Sequence, residues 1–313
     1  MIRRKPSLKA KASLFKNITE AFAQIGPPKL RRLRCSKHFL EINMIIGIIP
    51  ARYGSTRFEG KPLIDIQGKS MIRRVYEQAS KAQYLDKIIV ATDDDRIFGH
   101  VQAFGAKAIM TQSSHPSGTD RCWEAYQSLV MSPESWVIDK FNFQHLSPET
   151  QDSHLKNDYI INIQGDEPFI DPAQIDELGA MLDGNIELAT QMIAVDNPDV
   201  LWDIGEVKIV LNDQHEALYF SRQVIPFLKN VPQTNWHEHH PYFRHVGMYA
   251  YRADVLKKLT TLPPSSLEKA ESLEQLRWLE AGFKIKCVVT QYDSHCIDTP
   301  EDIEKVLRLV GSW

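Results

Sequence analysis

Residues 48–63 read I-I-P-A-R-Y-G-S-T-R-F-E-G-K-P-L, in which Arg52, Arg57 and Lys61 are interleaved with Gly54, Ser55 and Gly60. Glycines let backbone N–H groups approach a ligand closely, and fixed cations offset its negative charge, so a triphosphate is the ligand such a loop suits. A solvated basic loop fits the same residues. The spacing is neither G-x-x-x-x-G-K-[ST] nor G-x-G-x-x-G, which counts against P-loop nucleotide hydrolases, kinases and nicotinamide enzymes.

Two acids stand in positions able to hold a cation. Asp166 follows the apolar run 159–164 in a G-D-E-P turn, and Asp298 precedes Thr299 and Pro300 far along the chain. Carboxylates from two separate elements, completed by phosphate oxygens and water, suit magnesium. Asp298 alone reads equally well as a helix N-cap. Ser117, Gly118 and Arg121 lie where a turn enters a helix, either as a surface for a flat base and a phosphate or as an ordinary cap with a solvated arginine. The triplet Asp93-Asp94-Asp95 mimics a metal-binding D-x-D but is better read as the cap of the following helix. His237, His239 and His240 sit between prolines without a further ligand from another element.

Short apolar runs alternate with segments of helical spacing from Met44 onward, the rhythm of βαβ units in an α/β fold. Strands are predicted at 45–50, 87–91, 108–110, 159–164, 207–211, 244–251 and 284–290. Helices are predicted at 70–82, 95–104, 119–129, 266–281 and 300–310. The phosphate loop then leaves the carboxyl end of the first strand, the edge where open α/β sheets bind ligands. On a continuous helix, Glu268, Glu271 and Gln275 would share one face.

The chain has 313 residues, 43% of them hydrophobic, enough for one large domain. Residues 1–43 carry eleven Lys and Arg against Glu20 and Glu41, leaving 26 basic and 38 acidic residues in the remainder. An acidic body disfavours nucleic acid as a partner. The basic start is expected to be an extension outside the fold, with Met44 as the natural beginning, a transit peptide or basic arm being the alternatives. Residues 44–313 are expected to form one domain, with a polar surface insertion near 130–157. Four scattered cysteines without a C-x-x-C pair suit a reducing compartment, and no apolar run is long enough to span a bilayer. A cytoplasmic protein is expected.

The opening motif, together with H-P-S-G-T-D-R at 115–121, N-I-Q-G-D-E-P at 162–168, L-Y-F-S-R at 218–222, L-E-Q-L-R at 273–277 and D-T-P-E-D at 298–302, resembles the 3-deoxy-manno-octulosonate (KDO) cytidylyltransferases. These segments run in the family's order through nearly all of 44–313. The resemblance implies a Rossmann-like nucleotide-diphospho-sugar transferase fold, mostly parallel sheet flanked by helices, with a smaller acceptor and dimerisation subregion. It implies joining of CMP from CTP to KDO for lipopolysaccharide biosynthesis, with release of pyrophosphate, by a magnesium-dependent homodimer. It places Ala51, Arg52, Ser55, Arg57, Lys61, Ser117, Gly118, Arg121 and Gln164 at the nucleotide. Arg222, His245, Tyr249, Glu271 and Gln275 fall at the acid sugar, and Asp166 and Asp298 at the metal. Arg52 and Lys61 join the two aspartates as catalytic groups.

The chain departs from the family pattern in residues 1–43, in the length of the insertion, and in Phe58-Glu59, where an apolar residue and proline are usual. The alternatives are transfer to another sugar, such as a sialate or sugar-1-phosphate, a nucleotide-sugar glycosyltransferase using the acidic triplet, and a non-catalytic nucleotide sensor.

Overall fold

The computed structural model describes residues 44–54, 58–131 and 155–310, so the basic start, Ser55, Arg57 and most of the expected insertion lie outside the described residues. The main sheet has nine strands along the path β11-β7-β10-β6-β1-β4-β5, with β8 and β9 attached through β10. Its centre is β1 (Met44–Ala51), parallel to β4 (Lys87–Thr92) on one side and β6 (Asp158–Asn162) on the other. Beyond β4 lies β5 (Ala108–Met110), also parallel. The long strand β10 (Phe243–Arg252) enters antiparallel between β6 and β7 (Leu188–Ala194), and β11 (Lys286–Val289) closes that edge parallel to β7. The strands β8 (Lys208–Leu211) and β9 (Ala217–Ser221) form an antiparallel pair, and a small ribbon of β2 (Asp65–Ile66) and β3 (Lys69–Ser70) stands apart.

The continuous apolar character of the central strands has a plain cause: both faces are covered. Along β1, Ile46 and Ile48 join one core while Ile45, Ile49 and Ala51 join the other. Along β6 and the residue just past it the same alternation sends Ile160 one way and Tyr159, Ile161 and Ile163 the opposite way. The helix Gly118–Met131 covers the first face through Cys122, Ala125, Tyr126, Leu129 and Val130, an i, i+3, i+4, i+7, i+8 stripe. The helix Met71–Ala79 covers the second with Ile72, Val75 and Ala79. Truncating a fully buried member such as Leu129 to alanine costs on the order of 2–5 kcal/mol.

Local sequence sets the helix starts. Ser70 accepts from Arg73 N, and Asp171 accepts from Ala173 N ahead of Pro172. Asp94 is the member of the acidic triplet that caps, accepting from Arg96 N at the start of the helix Asp95–Ala103. The predicted helix over 266–281 is two helices, Ser266–Glu271 and Gln275–Glu280. Ser272 adopts φ 54°, a left-handed conformation that ends the first turn set, so Glu268, Glu271 and Gln275 do not share a face. Glu268 instead completes a capping box with Ser265.

Candidate active site

The carboxyl ends of β1 and β6 meet backbone to backbone. A Cβ on Gly165 would stand 2.7 Å from Pro50 O, so only glycine lets the turn after β6 cross the tip of β1. The next residue is Asp166. From β1 the chain passes Arg52 and Tyr53, and Gly60, at φ 70°, returns to donate its N–H to Tyr53 O at 2.9 Å. The Tyr53 ring is flanked by Gly60 and by the Arg96 guanidinium, 3.2 Å from the ring centroid. A single 3₁₀ turn, Lys61–Leu63, then delivers Lys61 into the cleft.

Lys61 Nζ donates to Asp166 Oδ2 at 2.8 Å and to Asp298 Oδ1 at 3.1 Å. Asp298 arrives on the segment between β11 and the helix Pro300–Val310, and Ile297 N donates to Asp166 O at 2.9 Å, lacing that segment to the turn after β6. Burial works against the ammonium charge, yet Asp166 and then Asp298 outweigh it and hold the Lys61 pKa above its ordinary value. Asp298 thus faces the lysine, while Asp302 accepts from the backbone N–H groups of Asp298 and Thr299.

The cleft, about 250 Å³, is lined by Ala51, Arg52, Lys61, Gln164, Asp166 and Asp298 on the β1 and β6 side. Ser117, Gly118 and Arg121 line it from the helix opposite, with His115 beside them. Arg52 is exposed and Ala51 buried. Gln164 Nε2 donates to Gly247 O at 2.8 Å, joining the cleft wall to the irregular stretch of β10. Arg121 reaches the cleft wall but not as an uncommitted cation: its buried guanidinium donates to Asp93 Oδ2 at 3.0 Å and to Thr111 Oγ1. Glu59, the acid out of place in the phosphate loop, is exposed and absent from the cleft lining.

The residues expected at the acid sugar lie mostly within their own bonds. Arg222 Nε donates to Glu271 O at 2.9 Å and Nη1 to Ile204 O at 3.1 Å. Glu271 accepts from Ser221 Oγ at 2.6 Å and from Arg222 N at 3.0 Å. His245 Nε2 lies 3.0 Å from Thr190 Oγ1, whose proton goes to Met248 O at 2.8 Å; the Nε2–H tautomer satisfies that pair. Burial, then Arg244 beside it, pushes the His245 pKa down to about 3, so the ring is neutral. Tyr249 is 6% exposed and its hydroxyl has no hydrogen-bond partner among the described residues. Gln275, also buried, opens the second of the two short helices.

Sequence reasoning passed over Glu274. Its Oε1 is 3.0 Å from Ser117 Oγ, its Oε2 accepts from Thr119 Oγ1 at 3.0 Å, and Arg277 pairs with it. Burial raises its pKa, with Arg277 and the two hydroxyls opposing. This carboxylate ties the nucleotide-side turn to the segment next to Gln275. Ser117 and Glu274 are 157 positions apart, and no local pattern announces the contact.

A mostly parallel sheet with cations and carboxylates gathered at its carboxyl edge is the layout of a nucleotide-binding α/β transferase. A family model of cytidylyltransferases matches residues 46–142 and 145–285. The 3-deoxy-manno-octulosonate cytidylyltransferase of Cytophaga hutchinsonii is 47% identical over 263 residues, 84% of this chain and 96% of that one. The 8-amino-3,8-dideoxy-manno-octulosonate cytidylyltransferase of Shewanella frigidimarina is 42% identical over 84% of this chain and 97% of its own length. Among solved structures, a CMP:2-keto-3-deoxy-manno-octonic acid synthetase complexed with CTP aligns with a TM-score of 0.71 at 40% identity, covering 85% of this chain and 98% of that chain. The chain belongs to the cytidylyltransferase family, among the 3-deoxy-manno-octulosonate cytidylyltransferases. It is a nucleotidyltransferase.

Proposed function

We propose that this enzyme joins CMP from CTP to 3-deoxy-manno-octulosonate, releasing pyrophosphate. The observation that carries the reading is Lys61 Nζ held between Asp166 and Asp298 at the mouth of β1 and β6, in a chain 40% identical to a synthetase solved with CTP. The anomeric hydroxyl of the acid sugar attacks the α-phosphorus in line, the bond to the β-phosphate oxygen breaks, and pyrophosphate carries away the electron pair. Lys61 and Arg52 stabilise the charge that develops on the departing group, with Arg57 of the same loop beside them in sequence. Ser117, Gly118 and the Gln164 wall bound the space for the nucleoside. His245, Tyr249, Gln275 and Arg222 bound that for the acid sugar, where the Tyr249 hydroxyl awaits a polar partner.

Magnesium fits the same place. Asp166 and Asp298 turn hard oxygen donors toward one point, now marked by an ammonium group. Among the described residues no cluster of three or more protein ligands exists, so phosphate oxygens and water must complete the shell, as magnesium tolerates. Bound there, the ion would supply Lewis-acid polarisation of the phosphoryl group.

The reading extends to a cytoplasmic homodimer supplying lipopolysaccharide assembly. Exposed Trp202, Ile204 and Phe227 support a self-association surface, testable by sedimentation equilibrium. Among the described residues no helix is long and apolar enough to cross a membrane.

Pyrophosphate release from CTP with magnesium, measured with and without the acid sugar, tests the activity. Release requiring both substrates and lost in Asp166→Asn supports it, and release with sialate, UTP or GTP instead overturns it. Because one relative is named for the 8-amino sugar, that acid belongs in a parallel arm. Preference for it would reassign the acceptor while keeping the chemistry.

A further inference from the structure

Of the two carboxylates that meet Lys61, Asp166 follows the end of β6, whereas no strand end or helix delivers Asp298. It rides on residues 290–299, a segment without helix or strand. What fixes that segment is therefore part of what fixes the site. Thr290 N donates to Met192 O at 2.9 Å at its start, and near its end Ile297 is fully buried against Ile66, Met71, Phe169 and Val306. Between these anchors Asp293 pairs with Arg244 Nη2, and Ser294 lies beside buried Glu167, opposing the rise that burial imposes on its pKa.

Arg244 is well placed for that pairing. Its side chain is 13% exposed, it sits on β10 immediately before His245, and its second arm reaches Glu206 Oε2 at 3.5 Å. A planar guanidinium held on two sides has little freedom to follow a moving partner. Asp293, 47% exposed, gains its order from the arginine rather than the reverse.

We propose that Arg244 is a positioning residue: through Asp293 it latches the 290–299 segment to β10 and so holds Asp298 across from Asp166, coupling the acceptor strand to the cation-binding carboxylates. This rests on the reading of Asp166 and Asp298 as the metal pair. Neither Arg244 nor Asp293 lines the cleft. Its loss leaves both carboxylates in the chain but widens the distribution of distances between them, and a divalent cation held by the pair would bind less tightly. Groups that orient metal ligands from behind commonly matter about 10–100-fold in affinity. A half-exposed link one step further away belongs at or below the low end of that range.

The test is Mn2+ binding to the full chain without substrates, followed by electron paramagnetic resonance, alongside the Mg2+ concentration that half-saturates activity. Asp293→Asn and Arg244→Gln should each weaken Mn2+ binding and raise the Mg2+ requirement by about 5- to 10-fold, with Arg244→Lys in between. Glu206→Gln, which cuts the other arm, should stay within about 2-fold. Asp293→Asn alters an exposed group, so its folding is not in question if Arg244→Gln fails to fold. Unchanged Mn2+ affinity in Asp293→Asn, with binding abolished in Asp298→Asn, would overturn the latch and leave the metal pair standing. Mn2+ binding that survives Asp298→Asn would overturn both.

Discussion

Two regions of the molecule follow opposite principles: one wall lines the cleft, and a second, outside that lining, is built around Arg222, Glu271 and His245. On the nucleotide side, Lys61, Asp166 and Asp298 come from positions 61, 166 and 298 and bond chiefly to one another, with their charges turned into the cavity. On the acceptor side, Arg222, Glu271 and His245 are engaged with carbonyls, hydroxyls and backbone N–H groups of their own neighbourhood. The first wall is a set of charges that, on the proposed reading, takes a polyanion and a cation. The second is a hydrogen-bonded frame that leaves a few groups over, such as the Tyr249 hydroxyl, which on the proposed reading meet the hydroxyls of the acid sugar. Substitutions on the first wall should therefore strike turnover, and those on the second should mix binding with stability.

The largest effect is expected from Asp166→Asn and Asp298→Asn, each lowering kcat by about a thousandfold with melting temperature within a few degrees of wild type. Removal of divalent cations by a chelator should do the same and be reversed by Mg2+. Equal activity after exhaustive chelation would remove the metal from the first wall.

Lys61→Ala should lower kcat by roughly a hundredfold. It also leaves two carboxylates facing each other, so the variant should gain more thermal stability from added Mg2+ than wild type does. Loss of melting temperature in proportion to activity would mean that the lysine belongs to the frame instead.

Glu274 sharpens the comparison because it belongs to both walls. Glu274→Gln keeps an acceptor for only one of Ser117 and Thr119 and loses the charge facing Arg277, and should cost about 1–3 kcal/mol of stability. Steady-state kinetics should show KM rising for both substrates. A change confined to one substrate would place Glu274 on that wall alone.

The smallest effect concerns pH. His245 is held neutral, its pKa lowered from 6.5 to about 3, so the folded state binds fewer protons than the unfolded chain between those values. The stability this contributes is present above pH 6.5 and is lost progressively as pH falls toward 3. Melting temperature should therefore fall less steeply below pH 6.5 in His245→Asn than in wild type. Parallel slopes would show that the ring titrates freely.

The sequence made the first wall legible because its motifs are local. The loop at 48–63 follows β1 directly, and Gly165-Asp166 follows β6, so strand ends and chemistry share one stretch of chain. The alternation of βαβ units was equally readable, from Ile45–Ile49 and the apolar stripe of the helix Gly118–Met131. Other features depend on distant partners. Lys61 meets Asp298 across 237 positions, and Arg121 is committed to Asp93, part of the acidic triplet. The broken helix at Ser272 escaped because serine is not a residue that announces a left-handed turn. The expected stripe of Glu268, Glu271 and Gln275 dissolved with it. β7 and β9 were not marked as strands; β7 becomes evident only through its pairing with β10 and β11.

The crossing of Gly165 over Pro50 sets the tolerance of the whole first wall. Strands β1 and β6 touch there with no side chain between them, and Asp166 lies one residue further along. Errors in the placement of that carboxylate are therefore bounded by a backbone junction, not by the charges it later meets. The phosphate loop and the acidic turn share a single reference point, as two arms of an instrument share a fulcrum. Gly165→Ala would move that point for every group at once. It would detune the site without removing one functional side chain.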